Sequence, residues 1–232
     1  KCFCAFQERW GLTHSDALTV ASRALEGLVW SLGVEPRRVF YVPNGVLDLV
    51  PSPPRREVGS AEERPTVLLY TRFFEFVLER VVGVWEQVHR AVPEARLLVV
   101  GEGLFGEEEE FLRLLEERGL GGGVEYVGWV QGERLYRYLR SADVAIYPYE
   151  DTLINRTKCS AKLIDLMSCG LPVVASRVGQ NGEYIEHLVS GYLVEPGDDQ
   201  TFAQVVLRLL RDKKLRETMG RRAKERVEER FS

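Results

Sequence analysis

From Pro65 onward, short apolar runs alternate with longer stretches in which apolar residues recur every three or four positions. The runs have the length of buried strands, and the stretches between them have the spacing of amphipathic helices. Strands that alternate with helices form parallel sheets, because each helix crosses back over the sheet to start the next strand. The sequence therefore predicts an α/β fold with a Rossmann-like, doubly wound parallel sheet. Its six predicted strands are 66–71, 96–100, 124–127, 143–147, 172–175 and 192–194.

A helix with two different faces is predicted between the fourth and fifth strands. When it is drawn from about Lys158, the side chains of Lys158, Lys162 and Asp165 fall within one narrow arc and apolar residues cover the opposite side. Gly170 stands where a residue in the left-handed conformation commonly ends a helix, and Pro172 then begins the next strand. One face is thus available for a ligand, although an ordinary amphipathic helix with solvated lysines has the same pattern.

The run from Lys162 to Ser176 resembles the signature of the retaining GT-B glycosyltransferases of family four, the group 1 type. In that family a helix that carries a carboxylate ends in a small-residue turn followed by Pro-Val-Val-Ala. The resemblance covers about residues 65–232, and 15–50 as a remnant. It implies a domain that binds a nucleotide sugar, with Asp165 in the position of the Glu that holds the ribose. The family's other Glu, which faces the donor sugar, is Thr157 here.

Arg72 follows the first strand of this domain, at the sheet edge where parallel α/β proteins place ligands. The resemblance implies that it contacts the donor diphosphate, and a guanidinium suits bidentate phosphate contacts. The Lys that the family has five residues later is Val77, so this half of the clamp is missing unless Arg80 reaches the site. Arg72 and Lys162 are the predicted catalytic residues, because positive charge there would stabilise the departing nucleoside diphosphate. A solvated edge arginine is the alternative.

The resemblance also implies backbone contacts to the donor. The turn after the third strand would receive the nucleobase, and the N-terminus of the two-faced helix would offer N–H groups to the distal phosphate. The predicted nucleotide-sugar site is Arg72, Gly128, Trp129, Val130, Thr157, Ser160, Ala161, Lys162 and Asp165. Because Thr157 carries no charge, transfer would be slow or would depend on another carboxylate, and Glu150 and Asp151 lie in the preceding loop.

Residues Gly101 to Gly106 spell the GxGxxG form of a dinucleotide-binding loop. Four glutamates, Glu107 to Glu110, follow directly in the first turn of the predicted helix and would repel a pyrophosphate. The motif also follows the second strand of the domain, whereas the fingerprint requires the first. A glycine-rich turn is therefore the favoured interpretation, and no nicotinamide or flavin cofactor is expected.

Residues 1–50 carry a shorter pattern, with strands at 17–20 and 39–42 around a helix that Ser22 would cap. Two strands cannot bury both faces of a parallel sheet, so this piece needs a partner. It resembles the last segment of the N-terminal acceptor-side domain in the same family, and a satellite packed on the main domain is the alternative. The proline-rich stretch 51–64 is the predicted linker, and 65–232 the donor domain. Both ends of the chain are expected to belong to a longer protein.

The formal net charge of −4 and the pI near 5.6 argue against a general affinity for nucleic acid or anionic membrane. The four cysteines have neither zinc spacing nor the density of a disulfide framework, and no Asp-x-Asp metal motif appears. No run reaches the roughly 18 apolar residues of a membrane-spanning helix. A cytoplasmic, metal-independent protein is therefore expected, with membrane contact at most peripheral and made through the acceptor domain.

Together these features predict a glycosyltransferase domain that binds a nucleotide-sugar donor and transfers its sugar with retention. The acceptor is a sugar, a lipid-linked sugar or a small molecule, and it would be held largely by the N-terminal domain. Two alternatives remain open at this point. One is a related domain that binds nucleotide without catalysis, which Thr157 and Val77 favour. The other is a nucleotide-sugar epimerase, which would need acidic or histidine side chains near the donor sugar.

Overall fold

A computed structural model describes residues 2–46 and 64–231 of the chain. The predicted linker, 51–64, lies outside the described residues except for Arg64. Residues 2–46, called here the small unit, contain α1 (Cys2–His14), β1 (Leu18–Val20), α2 (Arg23–Ser31) and β2 (Val39–Tyr41).

The predicted β-α-β pattern of the small unit is confirmed. Strands β1 and β2 pair in parallel, and the Ser22 hydroxyl accepts a hydrogen bond from the Leu25 N–H at 3.1 Å to cap α2. Helix α1 is not predicted, because apolar side chains such as Phe6 and Trp10 lie on its exposed side and obscure the helical period. Among the residues whose burial is described, the hydrophobic core of this unit consists of Val20, Val29, Val34 and Val39.

The predicted doubly wound sheet is also confirmed. Residues 64–231, the large unit, contain six parallel strands in the order β5-β4-β3-β6-β7-β8. Strand β3 lies in the middle, with β4 on one side and β6 on the other, so the chain reverses its direction of winding there. The strands are β3 (Thr66–Tyr70), β4 (Arg96–Val100), β5 (Val124–Gly128), β6 (Val144–Tyr147), β7 (Val173–Ser176) and β8 (Gly191–Val194).

Helices cover both faces of the sheet and create two separate cores. Val67 and Leu69 of β3 face one core, with Trp85, while Leu68 and Tyr70 face the other. Because both faces are buried, the central strands are apolar throughout rather than alternating. The helices of the large unit are α3 (Leu78–Ala91), α4 (Glu107–Glu117), α5 (Gly132–Arg140), α6 (Leu153–Thr157), α7 (Ala161–Ser168), α8 (Asn181–Tyr184), α9 (Asp199–Arg211) and α10 (Lys213–Arg230).

The two-faced helix differs from its prediction at its start. The chain forms α6, leaves the helical conformation at Lys158 with φ −69° and ψ 140°, and begins α7 at Ala161. Lys158 therefore lies in the connection between two helices rather than on the face of one. The predicted end is confirmed, since Gly170 has φ +71°, a left-handed conformation that favours glycine. The segment 179–182, which contains two glycines, leads into the short helix α8.

Several hydrogen bonds connect the small unit to the large unit, at separate points along both. The Ser22 hydroxyl donates to the Thr157 carbonyl at 2.7 Å, and the Tyr184 hydroxyl donates to the Asn44 carbonyl at 3.1 Å. The Val46 N–H donates to the carbonyl of Phe231 at 2.7 Å. The small unit thus packs on the large one, while independent folding of the large unit stays a prediction.

Candidate functional site

Two lysines and the loop after β3 converge on the carboxylate of Glu75, which is only 3% exposed. One of its oxygens, Oε1, lies 2.8 Å from Nζ of Lys158 and 3.4 Å from Nζ of Lys162. The other, Oε2, accepts hydrogen bonds from the Thr71 hydroxyl at 3.0 Å and from the Arg72 N–H at 3.2 Å. A buried carboxylate is tolerated here because each oxygen has charged or polar donors.

The charges in this cluster shift one another's pKa values. Burial alone would raise the pKa of Glu75, but the positive charges of Lys162 and Lys158 outweigh it and hold that pKa below its usual range. Burial lowers the pKa of Lys162 to about 8, and Glu75 opposes this shift while Lys158 and Arg72 add to it. Lys162 is therefore mostly protonated at pH 7, and two ammonium groups contact one carboxylate.

The loop after β3 has a strained conformation at Phe73, where φ is +66°. Such a conformation costs a non-glycine residue on the order of 1 kcal/mol. It is held because the Phe73 N–H donates to the Thr71 hydroxyl at 2.8 Å and the Phe73 ring packs 5.6 Å from that of Phe111. The loop that carries Arg72 and Glu75 is consequently fixed from both sides.

The structure brings Arg72 and Trp129 together. The guanidinium carbon of Arg72 lies 4.8 Å from the centroid of the Trp129 ring, a cation–π contact, and the Trp129 side chain stays 43% exposed. Gly128 ends β5 with φ +76°, and its carbonyl accepts a hydrogen bond from the Gly101 N–H at 2.9 Å. Val130 is buried in the second core, so its side chain is not available to a ligand.

Asp165 lies one helical turn beyond Lys162 on α7 and is partly exposed. The Tyr136 hydroxyl donates to its Oδ1 at 3.3 Å. Burial raises the pKa of Asp165, while this hydrogen bond and the charge of Lys162 act in the opposite direction. The ring of Tyr70 lies 5.6 Å from Nζ of Lys162 and extends the same surface. Lys162 and Asp165 thus share one side of the helix, as predicted.

The remaining predicted residues lie around the start of α7. Ala161 is exposed at the first position of the helix, and Ser160 before it is buried. The Ser160 N–H donates to Oε1 of Gln180 at 3.4 Å, so this predicted phosphate donor already has a partner. The Thr157 hydroxyl donates to the Leu153 carbonyl at 2.9 Å, within its own helix α6. Its side chain is therefore bound to the helix backbone.

The residues expected to compensate for the missing groups are paired elsewhere. The Arg80 guanidinium donates to Asp199 at 2.7 Å and to Glu150 at 2.9 Å. Asp151 forms an ion pair with Arg156 at 2.5 Å. The second cation of the cluster comes from Lys158 instead. From the sequence, Lys158 is predicted to lie on the helix face available to a ligand but is not among the predicted site residues, and Glu75 has no predicted role. The signal that marks Glu75 is a single acidic residue inside the apolar run 73–77, directly after a strand.

The GxGxxG loop between β4 and α4 binds its own glutamates. The Gly103 N–H donates to Glu108 at 2.8 Å, and the N–H groups of Leu104 and Phe105 donate to Glu107 at 2.9 and 2.7 Å. These backbone hydrogen bonds, first of all that from Phe105, lower the pKa of Glu107. Carboxylates thus occupy the N–H groups that a pyrophosphate would need, which supports the interpretation of this loop as a turn.

Across the described ranges 2–46 and 64–231, no group of three or more histidine, cysteine or acidic side chains is arranged to hold a metal ion. In the same part of the chain, no helix combines the length and the apolar character needed to cross a membrane.

Fold and site together define a class: a doubly wound α/β domain of the GT-B type with a cationic cluster at the carboxyl edge of its sheet. The family model described as "Glycosyl transferases group 1" matches residues 64–212, which is more than half of the chain. The chain therefore belongs to the group 1 glycosyltransferases.

Individual relatives agree with this assignment. N-acetyl-alpha-D-glucosaminyl L-malate synthase of Bacillus anthracis is 28% identical over 230 residues, 96% of this chain and 58% of the synthase. The structure of sucrose-phosphate synthase from Thermosynechococcus elongatus superposes on this chain with a TM-score of 0.83. It is 26% identical, and the match covers 100% of this chain and 58% of the synthase. HepE of Anabaena, solved with UDP and glucose, has the same fold, with a TM-score of 0.79 at 20% identity over 96% of this chain and 61% of HepE. The chain thus spans little more than half of these proteins.

Proposed function

We propose that this chain is the donor-binding part of a retaining glycosyltransferase and that it binds a nucleoside-diphosphate sugar at the carboxyl edge of its sheet. The observation that carries the proposal is the convergence of Lys158 and Lys162 on one carboxylate oxygen, beside the loop that presents Arg72. This is the edge where doubly wound sheets bind ligands, and the N-terminus of α7 adds a positive dipole end. The solved complex of HepE with UDP and glucose supports a nucleotide sugar as the ligand class.

In this proposal, Arg72 and the two lysines contact the diphosphate, Asp165 accepts hydrogen bonds from the ribose, and the base lies near Gly128 and Trp129. An acceptor hydroxyl oxygen forms a bond to the anomeric carbon while the bond from that carbon to the diphosphate oxygen breaks. The electron pair of the broken bond remains on the diphosphate, where the cationic groups stabilise it, and an oxygen of the departing diphosphate takes the proton of the acceptor hydroxyl. The acceptor is a sugar, a lipid-linked sugar or a small molecule, and positioning it requires contacts beyond the donor site.

The proposal also assigns no cofactor, because the nucleotide sugar is a substrate. Donor binding in this proposal does not require a carboxylate at Thr157, since the ligand contacts come from cationic side chains, backbone groups and Asp165. Sugar transfer does need a group that stabilises positive charge near the anomeric carbon. We propose that a residue other than Thr157 supplies it, because the Thr157 hydroxyl donates a hydrogen bond to the backbone of α6.

Isothermal titration of the 232-residue chain with UDP, GDP, ADP and NAD tests donor binding. We expect one nucleoside diphosphate to bind and Arg72→Gln to weaken it about 10- to 150-fold, since a hydrogen bond to a charged group contributes about 1.5–3 kcal/mol. Lys214→Met, at an exposed position of α10, is the control and should leave affinity unchanged. If no nucleoside diphosphate binds at millimolar concentration, or if NAD binds best, the proposal is wrong.

A further inference from the structure

Glu75 is placed so that it can shape the cationic cluster but cannot touch a ligand. Its side chain is 3% exposed, whereas those of Lys158 and Lys162 are 24% and 17% exposed. Each ammonium group has three donor hydrogens and uses one of them on Glu75. This leaves up to two donor hydrogens on each ammonium group for an incoming anion.

Lys158 is held in this position by more than its ion pair. Its Nζ lies 4.2 Å from the centroid of the Phe74 ring and 5.3 Å from that of Tyr149. Both rings and the Glu75 carboxylate surround one ammonium group, which lies in the connection between α6 and α7. A lysine side chain at such a connection would otherwise sample many rotamers, at an entropic cost of up to about 2 kcal/mol when a ligand fixes it.

We propose that Glu75 is a positioning residue of the phosphate site, which fixes Lys158 and Lys162 side by side and sets the net charge that an incoming diphosphate meets. This inference rests on the proposed function, in which both lysines contact the diphosphate, and adds Glu75 as the residue that positions them. The formal charges of Arg72, Lys158, Lys162 and Glu75 give a net +2 when all are ionised. The diphosphate diester of a nucleotide sugar carries two negative charges, so the cluster and the donor match.

Removing the negative charge of Glu75 changes the protonation of Lys162. Burial already lowers the pKa of Lys162 to about 8, and Glu75 is the group that opposes this shift most strongly. The groups that face Lys162 are Glu75 and Arg72 from the loop after β3, Tyr70 from β3, Lys158 from the α6–α7 connection, and Asp165 along α7 itself. With Glu75 neutral, Asp165 is the remaining carboxylate of this set, and Lys162 loses its proton at a lower pH. A bound diphosphate would then restore the proton.

The experiment measures UDP affinity of Glu75→Gln and of the unaltered chain between pH 6 and pH 9, by titration calorimetry in two buffers of different ionisation enthalpy. The unaltered chain should take up about half a proton on binding near pH 8, where Lys162 is half protonated. In Glu75→Gln, the midpoint of proton uptake should fall by about one pH unit or more, and affinity at pH 7.5 should fall about tenfold and recover toward pH 6. Glu125→Gln, which removes a carboxylate paired with Arg96, should follow the unaltered profile.

Lys158→Gln keeps the test decisive if Glu75→Gln does not fold. The charge of Lys158 lowers the pKa of Lys162, so its removal should move the midpoint of proton uptake upward while affinity falls. If the unaltered chain binds no nucleotide, the proposed function is wrong. If it binds and both variants keep its affinity and pH profile, the role of Glu75 is wrong and the proposed function stands. Loss of affinity in Glu75→Gln by the same factor at every pH would also contradict a role in setting charge.

Discussion

Replacing Lys162 with methionine should stabilise the fold while it weakens nucleotide binding. In the folded chain the pKa of Lys162 falls from 10.5 to about 8, chiefly because the ammonium group is buried. Each pKa unit corresponds to about 1.36 kcal/mol, so a protonated Lys162 lowers the free energy of unfolding by roughly 3 kcal/mol at pH 7. Methionine has a similar length and carries no charge, and it removes this penalty as long as Glu75 keeps its ion pair with Lys158.

The contribution of Lys162 to the free energy of unfolding depends on pH, and the direction of this dependence follows from its lowered pKa. Between about pH 8 and pH 10 the unfolded chain holds a proton on Lys162 that the folded chain has released, so the stability of the unaltered protein gains from Lys162 as pH rises. Below about pH 8 both states hold the proton and the penalty is fully present. The difference in stability between Lys162→Met and the unaltered chain should therefore be largest at pH 7 and shrink by pH 9.5.

Urea unfolding at pH 7 and at pH 9.5 measures this difference, and Lys214→Met serves as the matched control. For a chain of this size, 3 kcal/mol corresponds to an increase in Tm of about 6–12 °C as an upper limit. The same variant should lose the stabilisation that a saturating nucleoside diphosphate gives, about 2.7 kcal/mol at 100 times Kd. A Lys162→Met protein that is less stable than the unaltered chain at pH 7, with the same pH slope, would refute the reasoning.

Three further predictions concern the scaffold. Gly101→Ala should lower the free energy of unfolding, measured in urea, by more than about 1 kcal/mol, because φ is +128° and an added Cβ would overlap the carbonyl oxygen of Thr71. A much smaller change would mean that the loops after β3 and β4 can move apart. Ser22→Ala should cost about 1–2 kcal/mol, because the hydroxyl both caps α2 and donates to the Thr157 carbonyl, and Ser22→Thr should recover most of that loss. Residues 64–231 expressed alone should unfold in one cooperative thermal transition, and a molten product would contradict this division of the chain.

The sheet could be predicted from the sequence because its strands are buried on both faces and appear as uninterrupted apolar runs. The end of α7 could be predicted for a similar local reason, since Gly170 has the left-handed conformation that its position suggested. The start of α7 could not. Helical spacing put Lys158 on the same face as Lys162, whereas the structure puts it in an extended connection that brings its ammonium group to the same carboxylate.

The candidate site was only partly predictable, because its central group depends on contacts between distant segments. Arg72, Lys162 and Asp165 follow from their places beside strand ends and on one helix face. Glu75 is separated from its two lysines by more than 80 residues, and no local pattern links them. An acidic residue among phenylalanines does indicate burial, and a buried carboxylate requires cations, but their identity comes from the fold.

The side chain of Gln180 links the small unit to the start of α7. Its Oε1 accepts a hydrogen bond from the Ser160 N–H at 3.4 Å, and its Nε2 donates to the Ala21 carbonyl at 2.5 Å and to the Tyr41 hydroxyl at 3.2 Å. The amide group of one side chain thus forms hydrogen bonds with both units, and Gln180 itself is only 1% exposed. A substitution at Gln180 would therefore change hydrogen bonds of both units at once, including that of the Ser160 N–H at the start of α7.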